Sequence, residues 1–145
     1  MSIRVRVGVV LVEEGSFLLV RHEKEGKSYW LLPGGGVEDL ETLSQAAIRE
    51  VKEETGLDVN IEKLLFINDS IDPSGDRHII NFTFLGQIVG GELKVADDER
   101  LKEAKFIPYL EINDIIVFPN LKVPLLEASA CDFSLPTAYL GNLWE

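Results

Sequence analysis

The order of hydrophobic periodicities along the chain predicts an α+β fold, a sheet covered by helices. Three observations carry this. Apolar residues alternate with polar ones at the N-terminus and recur in apolar runs through the middle of the chain, which marks strands. One amphipathic segment bounded by capping residues at both ends marks a helix between them. The apolar segments after residue 111 read as helices.

Ile3, Val5, Val7, Val9 and Leu11 alternate with Arg4, Arg6 and Gly8, a period-2 strand. Glu13-Glu14-Gly15-Ser16 is a turn, and residues 17–21 form the second strand of a hairpin. Residues 22–28 are polar and predict a loop. Residues 29–32 return to strand character, and Pro33-Gly34-Gly35-Gly36 predicts a flexible turn that lets backbone approach a ligand. Thr42 is the expected N-cap of the helix, with Gln45 completing a capping box. The helix runs to about Thr55 and stops at Gly56, with Leu43, Ala47 and Val51 as its apolar stripe. Residues 59–68 and 79–89 read as strands joined by a polar loop, and residues 105–109 as a short strand. Residues 112–117 and 121–130 read as helices, the second limited or kinked by Pro124. The apolar tail from Thr137 is suited to packing on the domain or on a second copy, as a homodimer.

At 145 residues the chain fits one domain, 1–145, with a real core. No apolar run approaches the length of a membrane span, and MSIRVRVGVV lacks the layout of a signal peptide. With the single Cys131, which allows no internal disulfide, this predicts a cytoplasmic protein. No paired histidine motif accompanies Cys131, so it reads as a small side chain rather than a nucleophile. A net charge of −11 argues against duplex nucleic acid as partner. It leaves room for a polyphosphate substrate if a divalent metal neutralises the phosphates and a few Arg or Lys line the pocket.

Glu50, Glu53 and Glu54 place three carboxylates within five residues. At about 100° per residue they share a helix face, where like charges repel. A hard cation between them would offset that cost, since Mg²⁺ and Mn²⁺ prefer oxygen ligands. Alone, such a run would read as a solvated face. It stands, however, within Gly-x5-Glu-x7-Arg-Glu-U-x-Glu-Glu-x-Gly-U, U being bulky and aliphatic. Every fixed position is filled, by Gly35, Glu41, Arg49, Glu50, Val51, Glu53, Glu54, Gly56 and Leu57. The segment resembles the box of the Nudix hydrolases (the MutT-like family). One departure is Leu40, where many members carry Gly; it removes no ligand.

The resemblance implies an α/β/α sandwich with a mixed central sheet. It implies metal-dependent cleavage, with Mg²⁺ or Mn²⁺, of a nucleoside diphosphate linked to another group X. By analogy Glu50, Glu53 and Glu54 are metal ligands, and Glu53 or Glu54 acts as, or orients, the general base. The carbonyl of Gly35 is a further ligand, and Glu41 binds metal or pairs with Arg49, which orients the carboxylates. Family members often draw another ligand or base from a later loop, where Glu99 is the candidate; a solvated acidic run is the alternative.

Outside the box, Arg21 is suited to a bidentate phosphate contact or to the surface. Trp30 stacks on a base or fills the core. His22 and His78 read as surface or satisfied histidines. Pro73 lies 16 residues after Leu57, a spacing that resembles ADP-ribose-cleaving members, although any turn contains such a proline. The expected substrate is ADP-ribose or a nucleotide sugar. The alternatives are a (d)NTP pyrophosphatase that cleans the nucleotide pool and a nucleotide-sensing module without catalysis.

Overall fold

The computed structural model describes residues 2–95 and 100–144. The strands are β1 (Arg4–Val10), β2 (Val12–Glu13), β3 (Ser16–Lys24), β4 (Lys27–Leu31) and β5 (Gly34–Gly36), then β6 (Leu57–Ile71), β7 (His78–Gly91), β8 (Leu101–Pro108) and β9 (Ala138–Asn142). The helices are α1 (Leu43–Thr55) and α2 (Lys122–Ala130), with a 3₁₀ turn at Tyr109–Asp114. A mixed five-stranded sheet runs β5-β1-β7-β6-β9; β1–β7 and β6–β9 are parallel, and β1–β5 and β6–β7 antiparallel. In a second sheet β3 pairs with β2 and β4 on one edge and with β8 on the other.

Strand alternation explains the two cores. Val7, Val9 and Leu11 pack with Ala46, Ala47 and Val51 of α1. Val10 points the other way, into a cluster with Phe66, Leu121 and Leu125 on the α2 side. Helices thus cover opposite faces of the sheet, and the fold is the α+β, α/β/α sandwich expected. No described helix is long and apolar enough to cross a membrane.

The helix start is as expected: Thr42 accepts from the Gln45 N–H, and the Gln45 side chain accepts from the Thr42 N–H. Gly56 ends the helix at φ 77°, and its N–H donates to the Lys52 carbonyl. Four expectations are corrected. Residues 22–28 extend the β3–β4 hairpin, because Lys24 pairs with Lys27 across a two-residue turn. Gly34–Gly36 is a short strand held against Arg6–Gly8, not a flexible turn. Residues 112–117 are not a helix: the 3₁₀ turn ends at Asp114, and Val117 bridges to Trp30. Pro124 causes no kink, since it sits in the first turn of α2, where its missing N–H is an orphan anyway.

The tail packs on its own domain as β9. Leu143 donates its N–H to the Asp69 carbonyl, Ile71 N–H donates to Asn142 Oδ1, and Thr137 Oγ1 donates to the Leu64 carbonyl.

Candidate active site

β5 and α1 build the site together. The Gly34 N–H donates to Glu54 Oε1 at 2.7 Å. Gly35 lies directly against the Glu50 carboxylate: a Cβ there would stand 2.4–2.6 Å from its three carboxyl atoms. Only glycine lets this backbone approach so closely. Arg49 gathers the remaining acids. Its Nε and Nη2 donate to Glu41 at 2.7 and 2.9 Å, its Nη1 to Glu50 at 3.0 Å and to Glu53 at 3.3 Å, and its Nη2 also to the Gly36 carbonyl. The planar fork suits such multidentate binding, which Lys could not reproduce. Leu40, fully exposed, adopts φ 65°, so the loop takes the left-handed conformation a glycine would favour.

The electrostatics follow from this arrangement. The Arg49 hydrogen bonds, aided by the Glu38 N–H, hold Glu41 down at about 2. Arg49 itself is raised, chiefly by Glu41. Glu50 is raised, chiefly by burial, although Arg49 opposes the shift. A folded-state pKa of about 2 against an ordinary 4.5 means that Glu41 contributes stability above pH 4.5 and loses it as pH falls towards 2. Glu41→Gln should therefore unfold at lower urea than the wild type at pH 7. The two midpoints should converge between pH 4.5 and about 2; a gap independent of pH would contradict this origin.

Beside the carboxylates lies a cleft of two cavities, about 310 and 570 Å³, which share Tyr29, Arg77, Val117 and Phe118. The β1–β7 register lays its floor: Arg6 and Gly8 face Asn81 and Thr83, all four lining the smaller cavity. Arg6, Lys24, Lys27, Arg77, Arg100 and Lys122 line the two cavities, six of the fourteen cationic residues in the chain. Among the described residues no Asp or Glu lines either. His22, on the wall of the smaller cavity, places Nε2 3.9 Å from Glu54. Burial lowers the pKa of Arg6, opposed by nearby Glu54 and Glu50, and the guanidinium stays charged at neutral pH. The cleft thus opens onto the carboxylate helix.

The structure separates the other sequence candidates. Arg21 does not line the cleft. It sits on the opposite face of β3 from His22 and Lys24, and its guanidinium meets Glu103, Glu23 and the Ser28 hydroxyl. Trp30 is in the core, 8% exposed, with Lys105 Nζ 5.4 Å from its ring centroid. Its ring therefore offers a substrate no open face. Pro73 is exposed in the β6–β7 hairpin turn and does not line the cleft, unlike Arg77 four residues on. Glu99 lies outside the described residues. His78 is hydrogen-bonded to Asp69 at 2.7 Å. The residues that sequence reasoning missed are the cations of the cleft, above all Arg6, Arg77 and Arg100.

The donor set fits a hard divalent cation. Its atoms are carboxylate oxygens and a glycine backbone in close contact, and among the described residues Arg49 and Arg6 face the four carboxylates of Glu41, Glu50, Glu53 and Glu54, which leaves net negative charge. Among the described residues no three such side chains already converge at ligating distance. Glu53, 58% exposed, has the freedom to turn from Arg49 towards Glu50 and Glu54.

A loop–helix carboxylate cradle on a mixed sheet, open to a basic cleft, defines the class of small-molecule hydrolases with an acidic helix face. The chain belongs to the NUDIX family: the model of the NUDIX domain matches residues 2–126. It is 39% identical over 99 residues to an ADP-ribose pyrophosphatase of Methanocaldococcus jannaschii, a match covering 68% of this chain and 57% of that protein. It is 39% identical over 128 residues to phosphatase NudJ of Escherichia coli, covering 86% of this chain and 79% of NudJ. A NUDIX hydrolase from Nitrosomonas europaea shares the fold with a TM-score of 0.80 at 27% identity, each chain 93% covered.

Proposed function

We propose that the chain is a metal-dependent pyrophosphohydrolase that cuts the phosphoanhydride of a nucleoside diphosphate linked to X, with ADP-ribose or a nucleotide sugar as substrate. The observation that carries this is the segregation of charge. In a chain of net charge −11, six cations and no described acid line a cleft that ends on Glu54 and Glu50. Such a cleft selects a small polyanion and concentrates it. The relative from M. jannaschii, an ADP-ribose pyrophosphatase, supports the choice of substrate.

Glu50, Glu53, Glu54 and the Gly35 carbonyl are the residues that would hold Mg²⁺ or Mn²⁺. The ion supplies neutralisation of phosphate oxygens and a water of lowered pKa. Arg6 and Arg77 clamp the diphosphate. Water attacks one phosphorus, the bridging P–O bond breaks, and the proton of the water passes to Glu53 or Glu54. Glu54 is fixed for an orienting role by the Gly34 N–H. Arg49 and Glu41 hold the helix face in register and do not touch substrate.

A substrate panel with Mg²⁺ or Mn²⁺, products read by chromatography, tests the reading. The expected result is AMP plus ribose 5-phosphate from ADP-ribose. Pyrophosphate from a (d)NTP would move the chain to nucleotide-pool cleaning. Metal binding with no turnover of any nucleotide would overturn the catalytic reading.

A further inference from the structure

The NUDIX match ends at residue 126, and the C-terminal segment beyond it reaches back to the cleft. β9 runs parallel to β6. Gly141, at φ 74°, lies where the register slips between Tyr139 and Asn142. Past this slip the Leu143 carbonyl accepts from Ser70 Oγ, while the Tyr139 hydroxyl donates to Asp69. These bonds deliver Trp144 to the wall of the 570 Å³ cavity. There it meets Phe118 edge-to-face, ring centroids 5.2 Å apart at 87°, and Phe118 meets Tyr29 at 6.3 Å and 74°. Tyr29 also meets the His22 ring, at 5.8 Å and 32°. An edge-to-face contact takes at most one face of a ring, so Trp144 keeps a face clear of Phe118. The smaller cavity carries Arg6, Lys24 and Arg100, groups suited to phosphate; the larger one sets Tyr29, Phe118 and Trp144 beside Lys27, Arg77 and Lys122 and is of a size for a small organic group.

We propose that Trp144, carried by the C-terminal strand, is a specificity-determining residue that stacks on the nucleobase in the larger cavity while the phosphates lie beside Arg77. The assignment rests on the nucleotide reading of the cleft. Base-on-aromatic stacking is worth about a tenfold change in affinity or more per ring lost.

The test is titration of the full chain with AMP and Mg²⁺, followed by tryptophan emission and by calorimetry. Trp30 is buried in the core and Trp144 lines the cavity, so a saturable change on adding AMP that is absent in Trp144→Phe reports the proposed contact. Ribose 5-phosphate, which has no base, should leave emission unchanged. Trp144→Phe should keep AMP affinity within about threefold, and Trp144→Ala should lose about tenfold. With the substrate found by the panel, Trp144→Ala should raise KM by a similar factor and leave kcat within about twofold. AMP that does not bind the wild type, or that binds Trp144→Ala equally well, overturns the proposal. So does an alanine variant that only lowers Tm. AMP bound through Trp144 with no hydrolysis on the panel would instead overturn the catalytic reading and leave the base site standing.

Discussion

Glu53→Gln is expected to lose hydrolytic rate by about 10²- to 10⁴-fold while its melting temperature stays within about 2 °C of the wild type or rises. The two halves have separate causes. Glu53 is 58% exposed, and its ion pair with Arg49 at 3.3 Å is a surface pair of little worth. It also stands one turn from Glu50, so removing its charge relieves repulsion on the helix face. The rate loss follows from the proposed work of this carboxylate, holding the cation or taking the proton of the attacking water. Glu50→Gln would be a poorer probe, because Glu50 is wedged against Gly35 and bonded to Arg49. Single-turnover kinetics on the panel's substrate, beside a melting curve, checks both halves. Near-normal turnover in a folded Glu53→Gln would remove this residue from the mechanism.

The carboxylate helix is legible in the sequence because its determinants are local. Thr42, Gln45 and Gly56 set its ends, and Gly35 to Leu57 carry the box in one continuous stretch. The cleft is not legible, because it is assembled by pairing. Arg6 reads in sequence as the polar side of a half-exposed strand. Only the parallel register with β7 shows that this polar face is the cleft floor, opposite Asn81. Arg21 reads in sequence as either a phosphate contact or a surface side chain, and its neighbours His22 and Lys24 line the cavity instead. With β3 extended to Lys24, alternation alone puts Arg21 on the other face. Trp144 is further still from any local signal, since it reaches the cleft only through β9 pairing with β6.

The two charge patterns depend on each other. The helix face concentrates acid around one arginine, and the cleft concentrates base with no described acid on its walls. On the proposed function, a phosphate entering the cleft would meet cations first and carboxylates at the end, where a divalent ion would bridge the like charges. Chelation of divalent metal should on this basis cost far more at the carboxylate end than at the aromatic end.

The neighbouring glycines of β5 should separate folding from chemistry. A Cβ on Gly34 would lie 2.0 Å from the Val7 carbonyl oxygen and 2.8 Å from the Gly8 Cα. Both are backbone atoms of the interior strand β1, and they cannot yield without parting β5 from β1. Gly34→Ala should therefore destabilise by about 1–3 kcal/mol or more, a fall in Tm of roughly 4–12 °C. The atoms nearest to a Cβ on Gly35 all belong to the Glu50 carboxylate, the far end of a flexible side chain. That carboxylate can swing aside at little cost to the fold. Gly35→Ala should thus keep Tm within about 3 °C of the wild type, and lose activity by about 10²-fold because a group of the cradle is displaced by roughly an ångström or more. Melting curves and turnover numbers on the two variants decide the matter. A Gly35→Ala protein that is stable and fully active would show that the seating of Glu50 against the Gly35 backbone plays no part in catalysis. A Gly34→Ala protein of undiminished stability would show that β5 is not held to β1 by the close packing its backbone displays.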